Sequence, residues 1–100
     1  LIAKDFGLIN IDTGATYNNM AYVYRHRNDK EDLKNPVVRK RRREDDKKAI
    51  EYYKKALKIF KYNYSKDHHQ LRSVADNLYR MYLKTGDTKD AEDIKKEYFF

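Results

Sequence analysis

Five consecutive cationic side chains at residues 39–43 form the densest run of charge in the sequence. This basic cluster consists of Arg39, Lys40, Arg41, Arg42 and Arg43. Cations of this kind neutralise phosphates, so the cluster could contact RNA, DNA or an anionic lipid, or act as a nuclear localisation signal. Residues 44–46, EDD, would neutralise part of the charge, and no aromatic residue lies between residues 35 and 46 to stack on bases. We therefore favour a solvated, mobile loop and keep phosphate contact as the alternative.

No other arrangement of residues predicts chemistry. The three glycines are scattered, so there is no Gly-rich loop for a nucleotide, and no serine has a base and an orienting group at a motif spacing. The sequence contains no cysteine, which excludes a thiolate metal site and a disulfide scaffold. His68 and His69 are neighbours whose side chains diverge on a helix, so they are poor metal ligands. We expect no metal, no cofactor and no enzymatic activity.

Ten tyrosines occur in a chain of 100 residues whose mean hydropathy is −1.10. This aromatic content argues against disorder, and the abundance of Lys, Glu, Leu and Ala favours helices. Five tyrosines recur at spacings that suit packing in a helical core better than a cofactor site. They are Tyr17, Tyr24, Tyr53, Tyr82 and Tyr98. We expect a single helical domain, and no apolar run reaches the ~20 residues that a membrane span needs.

Hydrophobic periodicity predicts four helices that position these residues. We expect them at about residues 13–27, 46–62, 70–84 and 88 to the end. Residues 28–46 contain the one proline, dense mixed charge and no apolar face, so they are predicted to form a loop. Asp45 and Asp46 are then acids of a first helical turn. Asp67 is expected to cap the third helix, and Gly86 to end it as a left-handed C-cap.

Two short stretches, NNMAYVY at residues 18–24 and NLYRMY at residues 77–82, indicate an internal repeat. A shift of 58 residues places Asn19 on Asn77 and brings Tyr24 onto Tyr82. The small residue that should follow in the first copy is Ala49, which lies 16 residues later than the shift requires. We therefore predict a helix–turn–helix repeat of 42 residues whose first copy carries 16 additional residues between its helices.

These residues resemble the tetratricopeptide repeat. The stretch NMAYVY from residue 19, followed by AIEYYKKAL at residues 49–57, is similar to the signature of that family. The 42-residue length and the linker YSKDH at residues 64–68 resemble the kinesin light chain type. Asn28, Tyr79 and Lys95 depart from the pattern, since glycine, a small residue and an aromatic residue are usual there. The resemblance implies an all-α fold of antiparallel helix–turn–helix repeats stacked as a right-handed α-solenoid.

The resemblance also implies a division of the chain. Residues 1–12 would end a preceding repeat and its linker, and residues 13–62 would form a repeat with an inserted loop at about residues 29–46. Residues 70–99 would form a further, terminal repeat. Because about three repeats are usually needed for stability, we expect further repeats on the N-terminal side.

A protein-interaction scaffold without catalysis is the function that the resemblance implies. In the family, the first helix of each repeat lines a concave groove that holds a partner peptide. Matched residue by residue, this groove would comprise Asn18, Asn19, Tyr22, Arg25, His26, Asp76, Asn77, Arg80 and Lys84. Asn can bond to a peptide backbone and Arg and Lys can hold carboxylates, so we expect a protein or peptide partner with a preference for acidic segments. The plainer interpretation is that these side chains bond to neighbouring helices or are solvated.

Two other functions stay open. One is nucleic-acid association through the basic cluster, and the other is a purely architectural segment of a large assembly whose groove is already filled. The net charge of +7 falls to +2 without the cluster, so we expect a nearly neutral helical body. Deletion of residues 34–45 should abolish RNA binding but spare a scaffold's partners. We expect a cytoplasmic location, or a nuclear one if the cluster acts as a localisation signal.

Overall fold

The structure is a computed structural model that describes residues 10–27 and 33–99. Within these ranges it contains four α-helices and no strand, which confirms the all-α prediction for the described residues. The helices are α1 (Ile11–His26), α2 (Pro36–Asn63), α3 (His69–Thr85) and α4 (Thr88–Tyr98). Most of the proposed preceding repeat at residues 1–12, and the first part of the predicted loop at residues 28–32, lie outside the described residues.

Side-chain caps set the beginnings of three helices. The carboxamide of Asn10 accepts a hydrogen bond from the Asp12 amide at the start of α1. His68, rather than the predicted Asp67, caps α3, because its Nδ1 accepts from the Gln70 amide at 3.2 Å. Gly86 ends α3 with φ of 83°, so the predicted left-handed C-cap is confirmed.

Helix α2 begins ten residues earlier than predicted, and this overturns the predicted loop from residue 36 onward. Asn35 accepts from the Val37 amide at 2.9 Å and Pro36 occupies the first turn, which together form a strong start signal. Val38, Asp45 and Asp46 are buried on the face that continues to the core of the helix. The basic cluster is therefore helical. Residues 36–46 therefore lengthen a helix instead of forming part of a loop.

The core lies between consecutive helices, since α1 packs on α2, α2 on α3 and α3 on α4. Its largest fully buried side chains are Tyr53, Leu71, Val74, Leu78 and Met81. Tyr82 and Tyr98 are also buried, while Tyr17 and Tyr24 are partly buried against the same cluster. The prediction that these tyrosines are packing residues is confirmed.

Gly14 allows α1 to approach the C-terminal half of α2 closely. A Cβ atom at this position would lie 2.8 Å from Cε1 of Phe60 and 2.9 Å from Cγ2 of Ile59. Both neighbouring side chains are buried and cannot easily move aside. Glycine therefore fixes how α1, which carries the first half of the predicted groove, sits on α2.

Candidate functional site

The predicted groove residues of α1 form a partly exposed aromatic and polar face. Asn18, Tyr22 and Arg25 follow one another at helical spacing and so lie on one side of α1. Tyr22 is 58% exposed, and its ring lies 4.3 Å from that of His26 between centroids. Val23, the next residue along the chain after Tyr22, is 61% exposed. Asn19, which belongs to the predicted groove, is also exposed.

Polar groups without partners lie beneath this face. Burial raises the pKa of the Tyr53 phenol. The nearby Arg25 guanidinium lowers this pKa, and Tyr22 raises it. Both of these α1 side chains therefore lie near the Tyr53 hydroxyl. Although Arg25 approaches it, the Tyr53 hydroxyl forms no hydrogen bond within the described residues, and neither does the buried Oδ1 of Asn18. Buried polar atoms without partners are rare in proteins and raise the question of what else could satisfy them.

On α3, two cations of the predicted groove are engaged in ion pairs with the protein's own carboxylates. Arg80 Nε donates to Asp76 Oδ2 at 3.0 Å, and Lys84 Nζ donates to Asp46 Oδ1 at 3.3 Å. Asn77, the residue after Asp76, is partly buried. The Arg80 pair is exposed and readily exchanged, whereas the Lys84 pair is more buried. Lys84 is therefore less suited to bind an acidic partner than its sequence position implied.

Helix α2 links the two halves of the predicted groove. Extensive packing joins α1 to α2 and α2 to α3, so the polar faces of α1 and α3 are related through the helix between them. Tyr53 reaches the α1 side, and Asp46 pairs with Lys84 on the α3 side. The predicted groove residues therefore form two separate sets, one on α1 and one on α3, and each of these helices packs on α2.

Two adjacent carboxylates hold both flanking helices to one turn of α2. Asp45 Oδ1 lies 3.7 Å from Nη1 of Arg27 at the end of α1, and Asp46 contacts Lys84 near the end of α3. Both aspartates are buried. The interpretation of these residues as acids of a first helical turn was wrong, since they lie in the third turn of α2. Their role could not be seen in the sequence because their partners are distant along the chain.

The side chains of the basic cluster point in different directions around α2. Arg39 Nη1 donates to the carbonyl oxygens of Leu33 and Lys34 at 3.5 Å, so it supports the turn that precedes the helix. Arg41 and Arg42 are partly buried. Lys40 and Arg43 are exposed to solvent. The five cations therefore do not act as one patch, as a loop would have allowed.

An aromatic stack with cations at its faces lies between α1 and α2. The ring of Tyr52 is stacked with those of Tyr17 and Tyr24, at centroid distances of 5.8 and 5.7 Å. Lys48 Nζ lies 5.3 Å from the Tyr24 ring, and Lys55 Nζ lies 5.5 Å from the Tyr17 ring. Such cation–π contacts strengthen the packing of α1 on α2. The seven-residue spacing of the two α1 tyrosines was the only sequence signal for this feature.

The paired histidines have structural contacts. The His68 ring stacks on Tyr64 at 3.8 Å between centroids and lies 4.9 Å from the His69 ring. The Nδ1 atom of His68 is occupied as the helix cap. Across residues 10–27 and 33–99, no group of three or more His, Asp or Glu side chains is placed to hold a metal ion.

Comparisons with known proteins do not assign this surface. No family model matches the chain, and no curated protein and no solved structure shows significant similarity to it. None of the helices in the described part of the chain is long and apolar enough to cross a membrane.

Proposed function

We propose that this chain is a non-catalytic scaffold for protein–protein interaction, built as a segment of a tetratricopeptide-type α-solenoid. In this account α1 and α3 are the first helices of two successive repeats, and α2 and α4 are the second helices. The packing of each helix on the next one supports the proposal. Short connections, residues 64–68 and 86–87, favour antiparallel neighbours.

The exposed Tyr22 carries the proposal. Tyr22 is 58% exposed, and Arg25 lies one helical turn further along the same face. Tyrosine and arginine are enriched at the centres of protein interfaces, where a large side chain buries much area at a small cost in conformational entropy. We therefore propose that the partner places an apolar side chain against the Tyr22 ring and polar groups near Asn18.

Fewer groove cations are available to an acidic partner than the sequence indicated. Arg80 and Lys84 are paired with Asp76 and Asp46, so a partner carboxylate would have to displace an existing ion pair. Arg25 is paired with no carboxylate in the described contacts and lies near the Tyr53 hydroxyl. One carboxylate next to an apolar anchor is therefore the pattern we propose for the partner segment.

A selection from a displayed library of random peptides tests the proposal. Peptides selected on the wild-type chain should bind the Tyr22→Ala variant at least about tenfold more weakly, as truncation of an interface anchor usually costs. Tyr62→Ala is the matched control, because Tyr62 is 71% exposed on α2 and lies outside the predicted groove. If both variants bound the selected peptides as tightly as the wild type, the assignment of this face would be wrong. Failure to select any peptide would favour the architectural alternative.

A further inference from the structure

Helix α2 concentrates the charge of the whole molecule. It contains eleven Lys and Arg side chains and four Asp and Glu side chains, so its net charge equals the +7 of the complete chain. The rest of the sequence is neutral in sum. The expected picture of a nearly neutral body with one basic cluster is therefore incomplete, because the lysines beyond residue 43 belong to the same basic helix.

Six of these cations form one line along the solvent side of α2. They recur at intervals of three, four or seven residues, which places them on one side of a helix. This outer stripe consists of Lys40, Arg43, Lys47, Lys54, Lys58 and Lys61, and all six are exposed. From residue 40 to residue 61 the stripe extends over about 31 Å at the helical rise per residue. That length is close to one turn of a nucleic-acid duplex.

Two of the four acidic residues of α2 are turned away from the stripe. Asp45 and Asp46 are turned inward, towards Arg27 and Lys84, so the charge that was expected to neutralise the basic cluster is buried. Glu44 and Glu51 are exposed and lie three, four or seven residues from stripe lysines, so they share this side of α2. Glu51 pairs with Lys55 at 3.5 Å, and Glu97 of α4 lies 3.2 Å from Nζ of the stripe residue Lys61. Exposed pairs of this kind are worth little and exchange readily with other anions. The six stripe cations outnumber Glu44, Glu51 and Glu97, so the solvent side of α2 presents a surplus of positive charge.

We infer that the outer stripe binds the phosphate backbone of double-stranded nucleic acid without reading its sequence. Lysines at intervals of about one helical turn can each neutralise a phosphate and release its counterions. The inference goes beyond the proposed scaffold function, because the stripe lies on the solvent side of α2 and shares no residue with the face around Tyr22.

The composition of the stripe argues for a nucleic acid over a protein or a membrane. Lysine is depleted at the centres of protein interfaces, whereas interfaces with duplexes are rich in positive charge. The exposed Val37 and Tyr62 lie at opposite ends of α2, so the stripe between them has no continuous apolar surface that could anchor a protein or insert into a bilayer. Single strands fit less well, because Tyr17, Tyr24 and Tyr52 cover one another and the exposed Tyr62 offers a single ring beside the stripe, not a series of rings for successive bases.

The test measures how binding of a 24-base-pair duplex of arbitrary sequence depends on salt. Fluorescence anisotropy between 50 and 200 mM KCl should give a slope of log Kobs against log[salt] of about −5 if all six cations engage. Lys54→Gln with Lys58→Gln should reduce this slope by about two and weaken binding at 50 mM by about tenfold or more. Glutamine keeps a helix propensity close to that of lysine, so the helix should persist, which circular dichroism verifies.

A charge-matched control separates the stripe from net charge alone. Lys89→Gln with Lys96→Gln removes the same charge from exposed positions of α4 and should leave the slope and affinity nearly unchanged. Equal losses in both double variants, or no binding of the duplex at 50 mM KCl, would overturn the inference. So would binding of polyglutamate or of anionic vesicles through Lys54 and Lys58 that is as tight as binding of the duplex. Deletion of residues 34–45 is unsuitable, because it removes the start of α2 and the buried Asp45.

Discussion

Asp46 of α2 and Lys84 of α3 form an ion pair in which Oδ1 and Nζ are 3.3 Å apart, and the Asp46 side chain is only 11% exposed. The preceding residue, Asp45, makes the corresponding contact with Arg27 at the end of α1. Charged side chains thus occupy positions of α2 at which apolar residues would be expected in a simple amphipathic helix. They hold the first helices of both proposed repeats to the helix between them.

Removal of the Asp46 carboxylate should destabilise the protein. Asp46→Ala leaves the partly buried ammonium of Lys84 without its partner, and we expect a loss of about 1–3 kcal/mol in the free energy of unfolding. Glu51→Ala, which breaks the exposed pair with Lys55, should change it by no more than about 0.5 kcal/mol. Urea denaturation measures both. Equal effects of the two substitutions would show that the buried ion pair stabilises the protein no more than the exposed one.

Addition of one methyl group at Gly14 should also destabilise the protein. An exposed helical glycine would gain about 1 kcal/mol on replacement by alanine, but the new Cβ would collide with Phe60 and Ile59. We expect Gly14→Ala to lower the free energy of unfolding by about 1 kcal/mol or more. A smaller side chain at the contact should relieve the clash, so Phe60→Leu should cost less in the Gly14→Ala background than in the wild type. A gain in stability from Gly14→Ala alone would contradict the described packing of α1 on α2.

Stability should decline in alkaline solution. Burial raises the pKa of Tyr53, Tyr82 and Tyr98 above the usual 10.0, and the Glu97 carboxylate raises that of Tyr98 further. The folded protein therefore retains these protons at a pH at which the unfolded chain releases them. The stabilising contribution is complete below pH 10 and is lost as the pH rises through the folded pKa values.

Urea denaturation at several pH values, with absorbance at 295 nm to follow phenolate formation, measures this effect. The wild type should lose stability above pH 10, and Tyr98→Phe should show a shallower loss because it removes one buried phenol. A free energy of unfolding that stays constant between pH 9 and 11 would be inconsistent with burial of these three hydroxyls.

The sequence predicted three of the four helices to within a few residues, but it placed the start of α2 wrongly. Periodicity sufficed for α1, α3 and α4, because their buried positions carry mainly apolar residues and Gly86 marks the end of α3. The buried face of the first turns of α2 cannot be recognised from hydrophobic residues, because Asp45 and Asp46 occupy it. Both carboxylates pair with cations that are far along the chain. A hydrophobic pattern cannot detect such a face, although Asn35 and Pro36 already carried a start signal.

The candidate surfaces were predicted only in part. The exposure of Tyr22 and Arg80 follows from their positions on their helices, but the engagement of Lys84 by Asp46 depends on how α3 packs on α2. The outer stripe was missed because the charge of the cluster and the charge of the later lysines were counted separately. Once α2 is recognised as one continuous helix, residues 40 and 61 lie on the same side of it.

Chemical-shift mapping shows whether a partner peptide binds the predicted groove on α1 and α3. Amide spectra of the labelled chain would be recorded during titration with a peptide selected from the displayed library. The largest changes should occur at Asn18, Tyr22 and Arg25 of α1, with smaller changes at Asn77 and Arg80 of α3. Changes confined to the outer stripe of α2, or spread evenly over the surface, would contradict the assignment of the groove.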